Sequence, residues 1–317
     1  MKKIDEPDFK VSDVCDTAIT DSSNKEDQNI KDVFTQVDSA GWKAQLELYE
    51  GIYLDNRHQL YTMEEMDDAY GITVKQMEGI FNYCMKDSHG YKDRLYSLTP
   101  DRCPICDKRW GFNDKNLDHV LPKSKFPQFA ITPCNLVTTC WTCNKRKRHG
   151  YGKDESTGVF NAYFHGVSLA KYIKCYIYAS RGDIVVNVHL TSFDESEIQD
   201  ENQYLRLKYW FERLYNLDQM YKINVGNNIL KLIDEFARSD ISERLISEEF
   251  LRKDFQTNYD EYNRFDFSDG LISDEFLIFI MYDSLANKSP NELISIIKEK
   301  ILARRSEIDS AKFEDIF

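Results

Sequence analysis

Cys103-Pro-Ile-Cys106 and Cys140-Trp-Thr-Cys143 bracket Leu117-Asp118-His119-Val120-Leu121-Pro122-Lys123-Ser124-Lys125 and Asn135-Leu136-Val137, and Asn144-Lys145-Arg146-Lys147-Arg148 follows the last cysteine directly. Two Cys-x-x-Cys knuckles 33 residues apart supply four thiolates, the complete shell of a tetrahedral ion of zinc type. Four sulfurs leave no position for water or substrate, so such an ion is structural. Pro100, Pro104, Pro122, Pro127 and Pro133 place five of the seven prolines in this same region, which predicts loops and short strands. The metal is therefore expected to stand in for a hydrophobic core here.

Charge becomes informative once it is localised. The chain carries 41 basic and 54 acidic side chains, a net −13 that taken alone argues against binding a polyanion. Residues 99–153 hold eleven basic and four acidic side chains, so that window is +7 and the remainder −20. A basic island in an acidic chain reads as a phosphate-facing site on a body that does not bind polyanions elsewhere.

An Asp-His pair on one strand, Asn-Leu-Val beginning sixteen residues after His119, and Asn144 nine residues later opening a basic helix form an ordered set among the knuckles. This set resembles the HNH endonuclease family over about residues 99–150, roughly a sixth of the chain. The resemblance implies an α+β fold: a ββα-metal HNH core stapled by a four-cysteine zinc site, flanked by helical regions and a short β-hairpin. It also implies that His119 is the general base and that Asn135 holds the loop or the orientation of His119. Asp118 and Asn144 would bind a catalytic Mg2+ or Mn2+, and Cys103, Cys106, Cys140 and Cys143 a structural Zn2+. The third letter of the family name is filled by Asn144 here.

The chemistry asks for these residue types independently of the resemblance. Phosphodiester hydrolysis needs a nucleophilic water, charge relief on the transition state and a stabilised leaving oxygen. A hard cation held by a carboxylate and an amide oxygen serves the last two needs, and a neutral imidazole can take the proton from water. Neighbours on a strand point to opposite faces, so Asp118 and His119 reach one phosphate only if the ribbon curves, as the resemblance implies it does. Lys145, Arg146, Lys147 and Arg148 are expected to continue the helix and touch backbone phosphates, with Lys123 and Lys125 nearby. His149, five residues after Asn144, is expected on the surface, and His58, His89, His165 and His189 in structural places.

The substrate expected is DNA, and nothing in these residues separates it from RNA. A reading from a different class, a zinc-stabilised nucleic-acid-binding or adaptor module without catalysis, would require loss of Asp118, His119 or Asn144. All three are present. No helix-turn-helix supports intrinsic sequence recognition. The Asp118–Lys125 stretch and the overall length resemble HNH subunits of bacterial antiphage defence systems, of the Septu type and its retron-associated relatives. That resemblance implies a protein partner such as an ATPase.

Outside the island the 317 residues divide by pattern. Residues 1–40 lack a sustained apolar period and are expected to be mobile or loosely docked. Residues 41–98 read as a helical collar, with one helix from Trp42 and another capped by Thr73. The nuclease core occupies 99–165, and 166–193 reads as a β-hairpin turning at Arg181-Gly182-Asp183. Residues 194–317, with 27 acidic and 16 basic side chains, read as an acidic helical domain. Cys15, Cys84, Cys134 and Cys175 are expected to be ordinary packing residues. No apolar run approaches the ~20 residues of a membrane span and no signal core follows Met1, so a cytoplasmic protein is expected.

Overall fold

The computed structural model describes residues 1–23, 28–35, 37–111, 113–265, 267 and 272–314. The chain forms two compact units, one of Met1–Val167 with Ile198–Asn216 and one of Ser168–Glu197 with Leu217–Phe317. This division corrects the expected one: the hairpin belongs with the C-terminal helices, and a stretch placed in the acidic domain returns to the first unit.

In the first unit, α1 (Val11–Ser23), α2 (Gln28–Phe34), α3 (Ser39–Asp55), α4 (Val74–Cys84) and α5 (Tyr91–Ser97) surround an apolar core. Local chemistry sets their starts. Asp38 accepts hydrogen bonds from the Ala40 and Gly41 amides to cap α3, and Thr73 with Gln76 forms a reciprocal capping box on α4. The expected mobile N-terminal stretch is instead docked among its described residues. Phe9, Val11, Val14, Cys15 and Ala18 are buried against Trp42, Leu46, Met77 and Ile80, and the Lys2 amide donates to the Pro104 carbonyl at 2.9 Å. The Val11 amide is capped from a distance by the buried Glu50 carboxylate at 3.1 Å. Sequence periodicity misses this docking because only one stripe of a short helix is apolar. Residues 24–27 and 36 lie outside the described residues.

After two short strands, β1 (Asp68–Ala69) and β2 (Ile72–Thr73), the island folds as an antiparallel ribbon and a helix: β3 (Lys115–His119), β4 (Leu136–Cys140) and α6 (Trp141–Lys147). Lys115 pairs with Cys140, Asp118 with Val137 and His119 with Leu136. Every residue from Phe126 to Cys140 is buried. The region is thus held by an apolar core, contrary to expectation, and the core is shared: Ala130, Ile131 and Leu136 are part of the one built by α1 to α5. After an excursion into the second unit the chain returns as α7 (Glu201–Tyr209), which ends in a π-helical turn at Trp210–Leu214. Arg206 ties this return to the carbonyls of Gly158 and Val159.

His165 gives the first unit a pH dependence. Burial, reinforced by the nearby Arg206 charge, pushes its pKa down to about 4. An unfolded histidine titrates near 6.5, so the unfolded chain binds the extra proton first. Stability is complete above about pH 6.5 and falls toward pH 4, by at most about 1.4 kcal/mol per pH unit from this group. Urea midpoints of wild type and His165→Gln are expected to converge as pH drops through this window. Parallel curves would show that another group carries the dependence.

The second unit pairs β5 (Ile173–Ser180) with β6 (Asp183–Leu190) through a two-residue turn in which Arg181 and Gly182 both have positive φ. Ile173, Cys175 and Ile177 alternate inward. The hairpin packs on α8 (Leu217–Arg238), α10 (Asp274–Asn287) and α11 (Asn291–Glu314), with α9 (Glu248–Tyr262) against α10. The Arg305 guanidinium closes the end of α8 by donating to the carbonyls of Phe236, Ala237, Ser239 and Ile241. No helix among the described residues is long and apolar enough to cross a membrane.

Candidate active site

The knuckles come together as a buried cluster. The Sγ atoms of Cys103, Cys106, Cys140 and Cys143 all lie within 4.8 Å of one another, and those of Cys106 and Cys140 are 3.7 Å apart. A tetrahedral zinc with bonds of about 2.3 Å places its sulfurs roughly 3.8 Å apart, so the residues fit the ion. All four thiols are free, which excludes a disulfide pairing. The Cys140 amide donates to Cys103 Sγ at 3.3 Å and the Cys143 amide to Cys140 Sγ at 3.4 Å. Such donors favour thiolate, and hydrogen bonds from the other three cysteines hold the Cys140 thiol well below its usual range. Burial does the reverse at the isolated Cys84, Cys134 and Cys175, each pushed up to about 12.

Asp118 and His119, adjacent at the end of β3, meet different partners. The Lys147 ammonium donates to Asp118 Oδ1 at 3.0 Å and to the His119 carbonyl, and the Tyr215 hydroxyl donates to Asp118 Oδ2 at 3.4 Å. Burial pushes the Asp118 carboxyl up, and Lys147 and Tyr215 offset that. His119 instead packs against Phe81 of α4, with ring centroids 4.6 Å apart, and its Nε2 lies 2.9 Å from the Ala130 carbonyl. A carbonyl can only accept, so Nε2 carries the proton and Nδ1 keeps its lone pair. Burial, with the Lys123 charge, pushes the His119 pKa down to about 3 and keeps the ring neutral.

Asn135 is fully buried and holds a loop. Its Oδ1 accepts from the Leu121 amide and the Tyr53 hydroxyl, and its Nδ2 donates to the carbonyls of Leu121 and Phe129. It thereby fixes the loop that ends at Ala130, and so acts on His119 at one remove. Asn144, on α6, is half-buried, and its carboxamide makes no hydrogen bond among the described residues. The structure therefore joins Asp118 to Lys147 and Tyr215, and does not join it to Asn144.

The basic side chains divide. α6 ends at Lys147, and Arg148 leaves the helix with φ 51°. The expectation of four phosphate contacts along one helix is corrected at two positions. Lys147 is buried on Asp118, and Arg146 donates to the carbonyls of Tyr215 and Asn216. Lys145 and Arg148 are exposed; Lys123 pairs with Glu78 and Lys125 with Glu65. Lys147→Met would leave Asp118 buried without its counter-charge, so a destabilisation of about 3–5 kcal/mol is expected. Thermal unfolding of Lys147→Met beside Asp118→Asn/Lys147→Met checks this, since the double variant should recover part of the loss.

Phe81, the Ala130 carbonyl and Tyr215 complete the site but escaped sequence reasoning. Each lies outside the motif residues, and nothing in an aromatic stripe marks one member as facing a carboxylate.

Residues 103–150 match the HNH endonuclease family. An HNH domain points to nuclease chemistry and a nucleic-acid substrate. Protein ea31 of Escherichia phage lambda is 28% identical over 97 residues, which cover 29% of this chain and 32% of that protein. The chain thus spans about a third of the length of this curated relative. No solved structure matches the chain.

Proposed function

We propose that the HNH domain is an endonuclease dependent on a divalent cation and that it hydrolyses phosphodiester bonds of DNA. The observation that carries this reading is His119: a neutral imidazole whose Nε2 proton is committed to the Ala130 carbonyl, leaving Nδ1 to accept a proton from water. An anionic phosphate beside the ring would stabilise the imidazolium and raise its basicity in the complex. Asp118 and Asn144 offer the carboxylate and amide oxygens that Mg2+ or Mn2+ prefers, and the Lys147 ammonium on Asp118 Oδ1 marks a carboxylate built to face positive charge. When bound, such an ion would relieve charge on the phosphate and stabilise the leaving oxygen. Lys147 competes for the same carboxylate oxygen, and Tyr215 orients the other. The different settings of Asp118 and His119 suit a reaction in which base and cation flank the phosphate.

The four-cysteine cluster holds α6, and with it Asn144, against β3. Lys123, Lys125, Lys145 and Arg148 are the side chains we assign to phosphate contact. The acidic second unit and the resemblance to antiphage defence subunits support a protein partner, an ATPase, that delivers or restrains the nuclease; co-purification from the native host tests this. Incubating the zinc-loaded chain with plasmid DNA and with RNA, each with Mg2+ or Mn2+, tests the activity. Cleavage of DNA that is lost in His119→Ala is expected, and no cleavage of either polymer under any of these conditions would overturn the reading.

A further inference from the structure

One large apolar side chain in the basic island is exposed. Trp42 and Trp210 are fully buried and Trp110 is half-buried, whereas Trp141 is 54% exposed. Its backbone is anchored. Trp141 lies between two cluster cysteines, and its amide donates to the Asp114 carbonyl at 3.0 Å. The Lys145 ammonium, one helical turn on, sits 4.4 Å from the centre of its ring. Exposed Lys108 and Arg109 belong to the same +7 window.

We infer that Trp141 and Lys145 form a stacking seat for an unpaired nucleotide base, with Lys145 neutralising its phosphate. An exposed ring on an anchored backbone, in a positive setting, suits a ligand that presents both a π-face and negative charge, and a nucleotide supplies both. In an intact duplex each base face is covered by its neighbours. A side chain anchored on a helix beside a metal cluster reaches such a face only where the strand is single or the base has left the stack. Asn144 and Lys147 lie on the same short helix, so the seat sits beside the candidate catalytic residues. The inference deepens the nuclease reading and rests on it: the substrate would carry a single-stranded segment at the site of cleavage.

The test uses the full, zinc-loaded chain and its intrinsic tryptophan fluorescence. Oligo(dT), oligo(rU) and a blunt DNA duplex of equal length are titrated separately, the first two distinguishing DNA from RNA as the source of the base. Quenching by a single strand and none by the duplex is expected. Trp141→Phe should retain most of the affinity while losing the quench, and Trp141→Ala should weaken single-strand binding by roughly 5- to 100-fold. Equal quenching by duplex, or single-strand affinity unchanged in zinc-loaded Trp141→Ala, would overturn the inference. Should Trp141→Ala lose its zinc, the wild-type quench and its disappearance in zinc-loaded Trp141→Phe decide the question. Quenching without cleavage of any nucleic acid would keep the seat and remove the nuclease, and duplex cleavage without quenching would do the converse.

Discussion

Removing the metal from the four-cysteine cluster is expected to free residues 101–111 and α6 while leaving the β5–β6 hairpin and its helices protected. A structural zinc contributes on the order of 10 kcal/mol where it alone holds a fold. Here its share is uneven. Residues 126–140 pack into an apolar core without it, whereas the first knuckle rests on a handful of hydrogen bonds (Cys103–Lys108, Asp107–Cys103, Lys2–Pro104 and Arg102 on the Asp107 carbonyl), the buried Ile105 and the cluster itself. Four buried thiolates that lose their cation must take up protons or repel one another, and α6 loses its Cys140 cap as well. The Lys147 side chain then leaves Asp118, so the damage reaches the candidate catalytic residues. Hydrogen exchange after chelation, with metal loss verified by elemental analysis, checks this. Unchanged protection at 101–111 and 141–147 would show that the cluster is not structural, as would native exchange in Cys103→Ser/Cys140→Ser.

His119→Ala is expected to lower the cleavage rate by roughly 10²- to 10⁴-fold, the usual worth of a positioned general base. The substitution removes no thiolate and no ion pair. It empties the space beside Phe81 and leaves the Ala130 carbonyl without its donor, so some stability is lost too. Zinc content and circular dichroism separate that loss from the chemical one. Asp118→Ala and Asn144→Ala should respond to raised Mn2+ and His119→Ala should not, because only the former pair would act through ion affinity. Wild-type rates in folded His119→Ala would remove the imidazole from the mechanism.

Much of the local structure was legible in sequence because its chemistry is local. A knuckle is a fixed spacing, a cap such as Thr73 sits directly before the helix it starts, and the Arg181-Gly182 turn requires positive φ at both positions. Each can be seen without knowing what lies across the molecule. Illegible were the features decided by distant partners. Lys147 looks like its basic neighbours on paper, yet the helical turn that carries it points its ammonium at Asp118 and away from solvent. The first twenty residues lack an apolar period strong enough to announce burial, and become core because α3 and α4 offer a complementary face. For Tyr215, sixty-five positions beyond the matched segment, no short-range pattern exists to be read.

The return of Ile198–Asn216 to the first unit bears on how the protein is made. Synthesis runs from the N-terminus, and domains tend to fold as they emerge. The zinc knuckles, β3, β4 and α6 are all outside the ribosome while Tyr215 is still to be added. Until Asn216 has been delivered, Arg146 has no carbonyls to hold and Asp118 lacks its phenolic donor. A nascent chain halted anywhere between residues 150 and 210 therefore carries every residue of the matched motif with its carboxylate unset. The order of translation itself delays completion of the candidate site until the hairpin has been made. For the same reason a gene fragment covering the matched segment alone would travel poorly between proteins by recombination, since it leaves behind the tyrosine that finishes it.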